Sequence, residues 1–189
     1  MYEQLTQFIR EKISISDEDL DAILPFFKTI SAKKNELLIS NGEFGQQLYF
    51  VKKGCIRIFF INEEGQESTR FLAFENHFAS ALVSFITKET SVEYVQALEE
   101  SHLLYIDQSD FFSLLEKYPV WEKFYRNYLE FAYVTNTNRL MSFITMDAQT
   151  RYKNLLKEKP IIVKRLPNKV VASYLNISQE TLSRLKSKK

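Results

Sequence analysis

Gln179, Glu180, Ser183 and Arg184 are the residues whose types and spacing point most directly to chemistry. At ~100° per residue they fall, with Ser187, inside an arc of about 140° on one helix, while Leu182 and Leu185 lie opposite. Glutamine pairs with adenine, glutamate accepts from cytosine and arginine grips guanine, so Gln179, Glu180 and Arg184 form a base-reading set for the major groove. Ser178 is a favoured N-cap, and it opens the helix with backbone N–H groups available to a phosphate. Ser183 on the same polar face, and the cations of Lys169, Lys186 and Lys188, are expected at the DNA backbone.

Such a helix must be held by a partner, and the preceding residues supply one. A helix-turn-helix needs a small residue where its two helices cross, and Ala172 and Ser173 stand there. The turn needs a residue tolerant of positive φ, a role asparagine fills next best after glycine, so Asn176 marks it. Val170, Val171, Leu175, Ile177, Leu182 and Leu185 then give the two helices one small core. Charge agrees: residues 1–145 hold 14 Lys/Arg against 21 Asp/Glu, net −7, whereas residues 146–189 hold 11 against 3, net +8. A basic module on an acidic body suits a polyanionic partner. The alternatives are a solvated basic end and a helical hairpin without DNA.

Other chemistry is poorly provided for. The 189 residues include one cysteine, Cys55, and two histidines, His77 and His102. One thiol excludes an intrachain disulfide, a thiolate zinc finger and a cysteine-held iron–sulfur cluster within one chain. His77 or His102 could each ligate haem, but their settings read as a turn and a strand start. A metal-dependent jelly-roll enzyme needs histidines converging at His-x-His spacing, which is absent. The expectation is therefore a non-enzyme without metal, haem or iron–sulfur cofactor. No signal-peptide core and no 18-residue apolar run is found, so a cytoplasmic protein is expected, without membrane contact.

The rest of the chain reads as a scaffold. Apolar spacing predicts a helix over 3–13, and Ser16 caps a second through Leu24, closed by Pro25. Strand-like runs follow at 36–39, 47–53, 55–62, 68–74 and 92–99, with turn signals at Asn41-Gly42, Lys53-Gly54 and Glu64-Gly65. Short strands without long helices between them predict an α+β protein built on an antiparallel jelly roll, residues 1–118. After Pro119 no Gly or Pro interrupts the chain to Thr145, and the first half of this helix is apolar all round. Residues 119–145 are thus expected to form a dimerisation helix through Phe124, Tyr128 and Phe131, or alternatively a wedge between two domains. Residues 146–189 form the DNA-binding domain, with a helix from Asp147 ended by Pro160 and an extended piece over 161–163.

Jelly roll, long helix and the terminal Ser178-Gln179-Glu180-Thr181-Leu182-Ser183-Arg184 together resemble the Crp/Fnr family of bacterial transcription regulators. The resemblance implies a cyclic nucleotide-binding-like fold, Glu180 and Arg184 as base readers and Thr181 as a phosphate contact. Gln179 replaces the family's usual arginine, which suggests a different operator half-site. It also implies a homodimer on inverted-repeat double-stranded DNA and RNA polymerase as a partner. Nucleotide-binding members carry a Gly-Glu pair for the ribose and an Arg-Ser/Thr pair for the cyclic phosphate. Matching Asn76-His77-Phe78 to the family's Gly-Asp-Phe puts Ser80-Ala81 at the first pair and Ser91-Val92 at the second. No arginine lies between Arg70 and Arg126. A shifted alignment would offer Glu89 or Glu93. The cassette is expected to be degenerate, with no cyclic AMP and either an unknown, less anionic effector or none. The alternative reading is a jelly-roll scaffold that docks another protein, with DNA binding secondary.

Overall fold

The structure, a computed structural model, describes residues 1–187. The chain divides into two compact units, one formed by 1–58 with 72–131, the other by 59–71 with the residues from Ala132 onward. The expected jelly roll forms, with all of its strand residues except 59–61 and 67–71 in the first unit. Its strands are β1 (Lys28–Ala32), β2 (Leu37–Ile39), β3 (Gln47–Lys53), β4 (Ile56–Ile61), β5 (Glu67–Ala73), β6 (Phe78–Ala79), β7 (Tyr94–Ala97) and β8 (Ser101–Asp107). They form two four-stranded sheets, β1-β8-β3-β6 and β2-β7-β4-β5. In the first sheet β8 lies antiparallel to both neighbours, with Tyr105 opposite Lys28 on one side and Tyr49 on the other. The β3–β4 turn requires Gly54, which has a φ of +107° and where a Cβ would collide with the Ser101 side chain.

Helices share the core of the sandwich. In α1 (Glu3–Lys12) Leu5 and Ile9, one turn apart, are fully buried. In α2 (Asp17–Ile23) the Ser16 hydroxyl accepts the Asp19 N–H at 3.0 Å, the expected cap. They join a core with Phe50, Phe78, Phe85, Leu104 and Ile106 of the sandwich, Phe111 of α4 (Gln108–Lys117) and Trp121 of α5 (Pro119–Thr145). Trp121 stacks on Phe124 with ring centroids 4.8 Å apart, and Tyr128 meets Phe78 edge-on at 6.0 Å. Strand β1 and the six-residue α3 (Leu82–Thr87) are features that the sequence pattern does not signal.

The second unit gathers the later part of α5 with α6 (Ala148–Glu158), α7 (Pro160–Arg165), α8 (Asn168–Leu175) and α9 (Gln179–Ser187) around buried Tyr152, Leu155, Ile162, Val171, Leu175 and Leu182. The Asp147 carboxylate accepts the Thr150 N–H at 2.7 Å and caps α6. One expectation is corrected here: residues 161–163 are helical, not extended, because Pro160 occupies the first turn of α7, where its missing N–H costs nothing. The β-branched run Ile161-Ile162-Val163 then buries Ile162 on the helical core.

Candidate nucleic-acid interface and effector cassette

The helix-turn-helix forms as its sequence dictates. Asn176 adopts the left-handed conformation with φ 52°, the Ile177 N–H closes on the Ala172 carbonyl at 3.1 Å, and the Asn176 N–H lies 3.3 Å from the Ser173 carbonyl. Ala172 is buried at the crossing. The Ser178 hydroxyl accepts the Thr181 N–H at 3.1 Å and donates to the Thr181 hydroxyl at 3.0 Å, so both hydroxyls first serve the start of α9. Leu182 is buried, while Gln179, Glu180, Ser183 and Arg184 are exposed together. Arg184 and Glu180 approach each other at 3.3 Å. That pair is exposed and worth little, so both ends remain available to a partner. Lys186 donates to the Asn168 side chain at 2.5 Å, and Lys188 lies outside the described residues.

Two arginines that a charge count treats as solvated are built into this unit. Arg139 donates to the carbonyls of Thr69 at 2.7 Å and Tyr174 at 2.6 Å. Its guanidinium lies 4.0 Å from the Tyr174 ring centroid and 4.8 Å from that of Phe143. Burial pulls its pKa below the usual arginine range. Arg151 sits 5.3 Å from the same Phe143 ring and donates to the Met146 and Leu175 carbonyls. Thr69 also meets Ser173 hydroxyl to hydroxyl at 2.6 Å, and Lys169 pairs with Glu67 at 2.5 Å. Sequence spacing carries no signal for Glu67, Thr69 or Arg139, because their partners on α8 are from 35 to 104 residues away.

In the sandwich the cassette folds back on itself. Ser80, Ala81 and Ser91 are buried, and Val92 is exposed. The Ser80 hydroxyl donates to the Gln47 carbonyl at 2.9 Å. That of Ser91 donates to the Glu93 carbonyl at 3.0 Å and accepts the Glu93 N–H at 2.9 Å. Ser84 of α3 donates to the Glu89 carbonyl at 2.5 Å and accepts the Gly45 N–H at 2.8 Å. Gly45 passes so near α3 that a Cβ would lie 3.1 Å from those of Ala81 and Ser84. Of the carboxylates a shifted alignment would use, Glu89 is exposed and Glu93 buried.

Residues 29–118 match the cyclic nucleotide-binding domain family. The cyclic AMP receptor protein of Thermus thermophilus is 26% identical over 106 residues, a match spanning 56% of this chain and 49% of that protein, about half its length. Among solved structures, the catabolite activator protein of the same organism aligns over 92% of this chain and 83% of its own, with 21% identity and a TM-score of 0.60. The c-di-GMP responsive global regulator CLP of Xanthomonas campestris gives 0.73 over 92% and 91% of the two chains at 15% identity. A regulator assigned to the Crp/Fnr family from Eubacterium rectale gives 0.71 over 90% and 82%, also at 15%. At these identities the structural likeness establishes a shared fold, and that fold is the Crp/Fnr architecture.

In this cyclic nucleotide-binding-type domain the early part of α5 serves the domain's own core. Phe124 is buried there and Tyr128 half-buried, whereas Phe131 is 60% exposed. Beyond it Tyr133, Val134, Leu140, Met141 and Ile144 are exposed too, so an apolar surface runs along the rest of the helix. His77 and His102 are exposed and hydrogen-bond the Glu75 carbonyl and the Ser31 hydroxyl, and Cys55 is buried. Among the described residues no three His, Cys, Asp or Glu side chains converge on a metal position. Among them too, no helix is long and apolar enough to cross a membrane.

Proposed function

We propose that this chain is a transcription regulator of the Crp/Fnr kind, which binds inverted-repeat double-stranded DNA sequence-specifically as a homodimer. The observation that carries this is the outward polar face of α9, with Gln179, Glu180, Ser183 and Arg184 exposed opposite buried Leu182 on a basic module. Gln179, Glu180 and Arg184 read bases; Lys169, Ser178, Thr181, Ser183, Lys186 and Lys188 hold the backbone. Two copies join through the apolar face of α5 from Phe131 onward, which supports a two-fold arrangement of the reading helices. RNA polymerase is the partner such a regulator addresses. Its work is binding rather than catalysis, in the cytoplasm.

The jelly roll does not take cyclic AMP in the manner of nucleotide-binding members. Ala81 has no carboxylate for a ribose, and the hydroxyls of Ser80 and Ser91 are committed to backbone carbonyls. An effector, if one is used, is less anionic than a cyclic nucleotide. Haem and iron–sulfur clusters are not part of this reading. A second reading, favoured by exposed Phe44, Val83, Ile86 and Val92 around the cassette, makes the jelly roll a scaffold that docks another protein.

Arg184→Ala tests the α9 assignment. The variant loses roughly 1 to 3 kcal/mol on the preferred duplex and relaxes preference at one base pair per half-site. A uniform loss over all duplexes, with the preferred sequence unchanged, would make Arg184 a phosphate contact and rotate the reading face.

A further inference from the structure

The second unit contains a contact that bears on how strongly α9 and α8 can engage DNA. Residues 59–71 form the tip of the β4–β5 hairpin, closed by the Asn62 N–H on the Gln66 carbonyl at 3.0 Å. Glu67 and Thr69, two residues apart on β5, lie on one side of the strand. They meet Lys169 and Ser173, four residues apart on one face of α8, at 2.5 and 2.6 Å. The match is metric: two residues of strand advance about 6.7 Å and four of helix about 6 Å, so strand and helix lie side by side in register. Arg139 ties the same two elements at a third point, through the carbonyls of Thr69 and Tyr174. Three contacts of different chemistry, all between one strand edge and the first helix of a helix-turn-helix, make a built surface.

We infer that the hairpin tip is an electrostatic latch on the DNA-binding unit, in which the Glu67 carboxylate occupies Lys169 in place of a DNA phosphate. This rests on the reading of Lys169 as a backbone contact. Lys169 keeps much of its side chain exposed, at 62%, whereas Glu67 is 21% exposed and held among its neighbours. The carboxylate is therefore the fixed partner and the ammonium the mobile one. Lys169 can exchange one anion for another by rotating its stem, without moving α8. While paired to Glu67 it carries no condensed counterion exchange with DNA, so it adds neither affinity nor salt dependence. Thr69 and Arg139 keep β5 against α8 and so keep Glu67 within reach. Any event that draws the hairpin tip off α8 releases a phosphate-binding cation.

The test uses the full chain, its preferred duplex and salt titrations read by fluorescence anisotropy. Glu67→Gln keeps shape and hydrogen-bonding capacity but loses the charge. It should bind DNA roughly two- to five-fold more tightly near 0.1 M salt, the range an exposed ion pair spans. Its plot of log K against log salt should steepen by about 0.9, one added phosphate contact. Lys169→Gln should abolish that gain, so that Glu67→Gln with Lys169→Gln binds no more tightly than Lys169→Gln alone. Thr69→Val, which leaves Ser173 its bond to the Val170 carbonyl at 2.9 Å, should act in the same direction as Glu67→Gln. An unchanged slope in Glu67→Gln, or a gain from Glu67→Gln that persists when Lys169 is also replaced, would overturn the latch. If wild type binds no duplex with sequence preference, the DNA-binding reading itself fails. If it does bind so and Glu67→Gln is silent, only the latch fails.

Discussion

The cassette and the recognition helix hold polar residues of the same kinds and use them in opposite ways. Around Ser80, Ser84 and Ser91 each hydroxyl is buried and bonded to a backbone group of its own unit. On α9 the polar side chains Gln179, Glu180, Ser183 and Arg184 stand in solvent, and Glu180 and Arg184 have only a weak surface bond between them. A buried hydroxyl whose proton is spent on a carbonyl can donate to a ligand only by leaving that carbonyl unpaired, at about 1–3 kcal/mol. An exposed side chain exchanges water for a base edge at little cost. The contrast is one between polar groups paired inside the jelly roll and polar groups left to solvent on α9.

The comparison breaks most sharply if one charge is added to each region. Ala81→Glu puts a carboxylate at a fully buried position, and should lower stability by ~3 kcal/mol or more in denaturant unfolding. Gln179→Glu, on the exposed face, should shift stability by no more than about 0.5 kcal/mol while changing the preferred DNA sequence. Equal and small effects at both sites would mean that the cassette is open to water and the contrast is false.

A smaller effect sharpens the same point. An arginine–phosphate pair is worth ~1.5 to 3 kcal/mol, so a cassette without it should bind cyclic AMP one to two decades more weakly than one that has it. Calorimetry of the full chain should show no saturable binding at micromolar cyclic AMP, and a clear isotherm in that range would restore the nucleotide reading.

The smallest effect concerns a capping residue of the second unit. The Thr150 N–H and hydroxyl bonded to the Asp147 carboxylate hold its pKa below the ordinary value. A folded pKa below the unfolded value of about 3.9 means that the cap contributes stability above that pH. The contribution is lost as pH falls through the folded value. Nuclear magnetic resonance titration of the Asp147 carboxyl should give a midpoint below ~3.9, and one at or above it would remove the cap.

Legibility in the sequence followed locality. Ser16, Asp147, Asn176 and Ser178 announce helix ends because each acts on groups two to four residues away, and all four sit where that logic puts them. The jelly roll was readable from strand spacing, though the order of its two sheets was not, since pairing is set by contacts far apart in sequence. Residues 161–163 do not read as helical because a proline that only stops one helix and a proline that also starts the next look alike until the chain beyond it is packed. Phe124 and Phe131 share an apolar pattern on α5, and only packing separates the core residue from the exposed one. Glu67, Thr69 and Arg139 leave no trace, because a charged or hydroxyl side chain in a helical or strand pattern reads as solvated when its partner is far away in sequence.

Selection of binding sites from random duplex DNA by the full chain tests the central claim most directly. The account predicts an inverted repeat with half-sites about one helical turn apart, ~34 Å centre to centre, and a motif that changes at one position per half-site when Arg184 is replaced by alanine. Enrichment of no sequence, or of a motif that Gln179, Glu180 and Arg184 variants all leave intact, would contradict it.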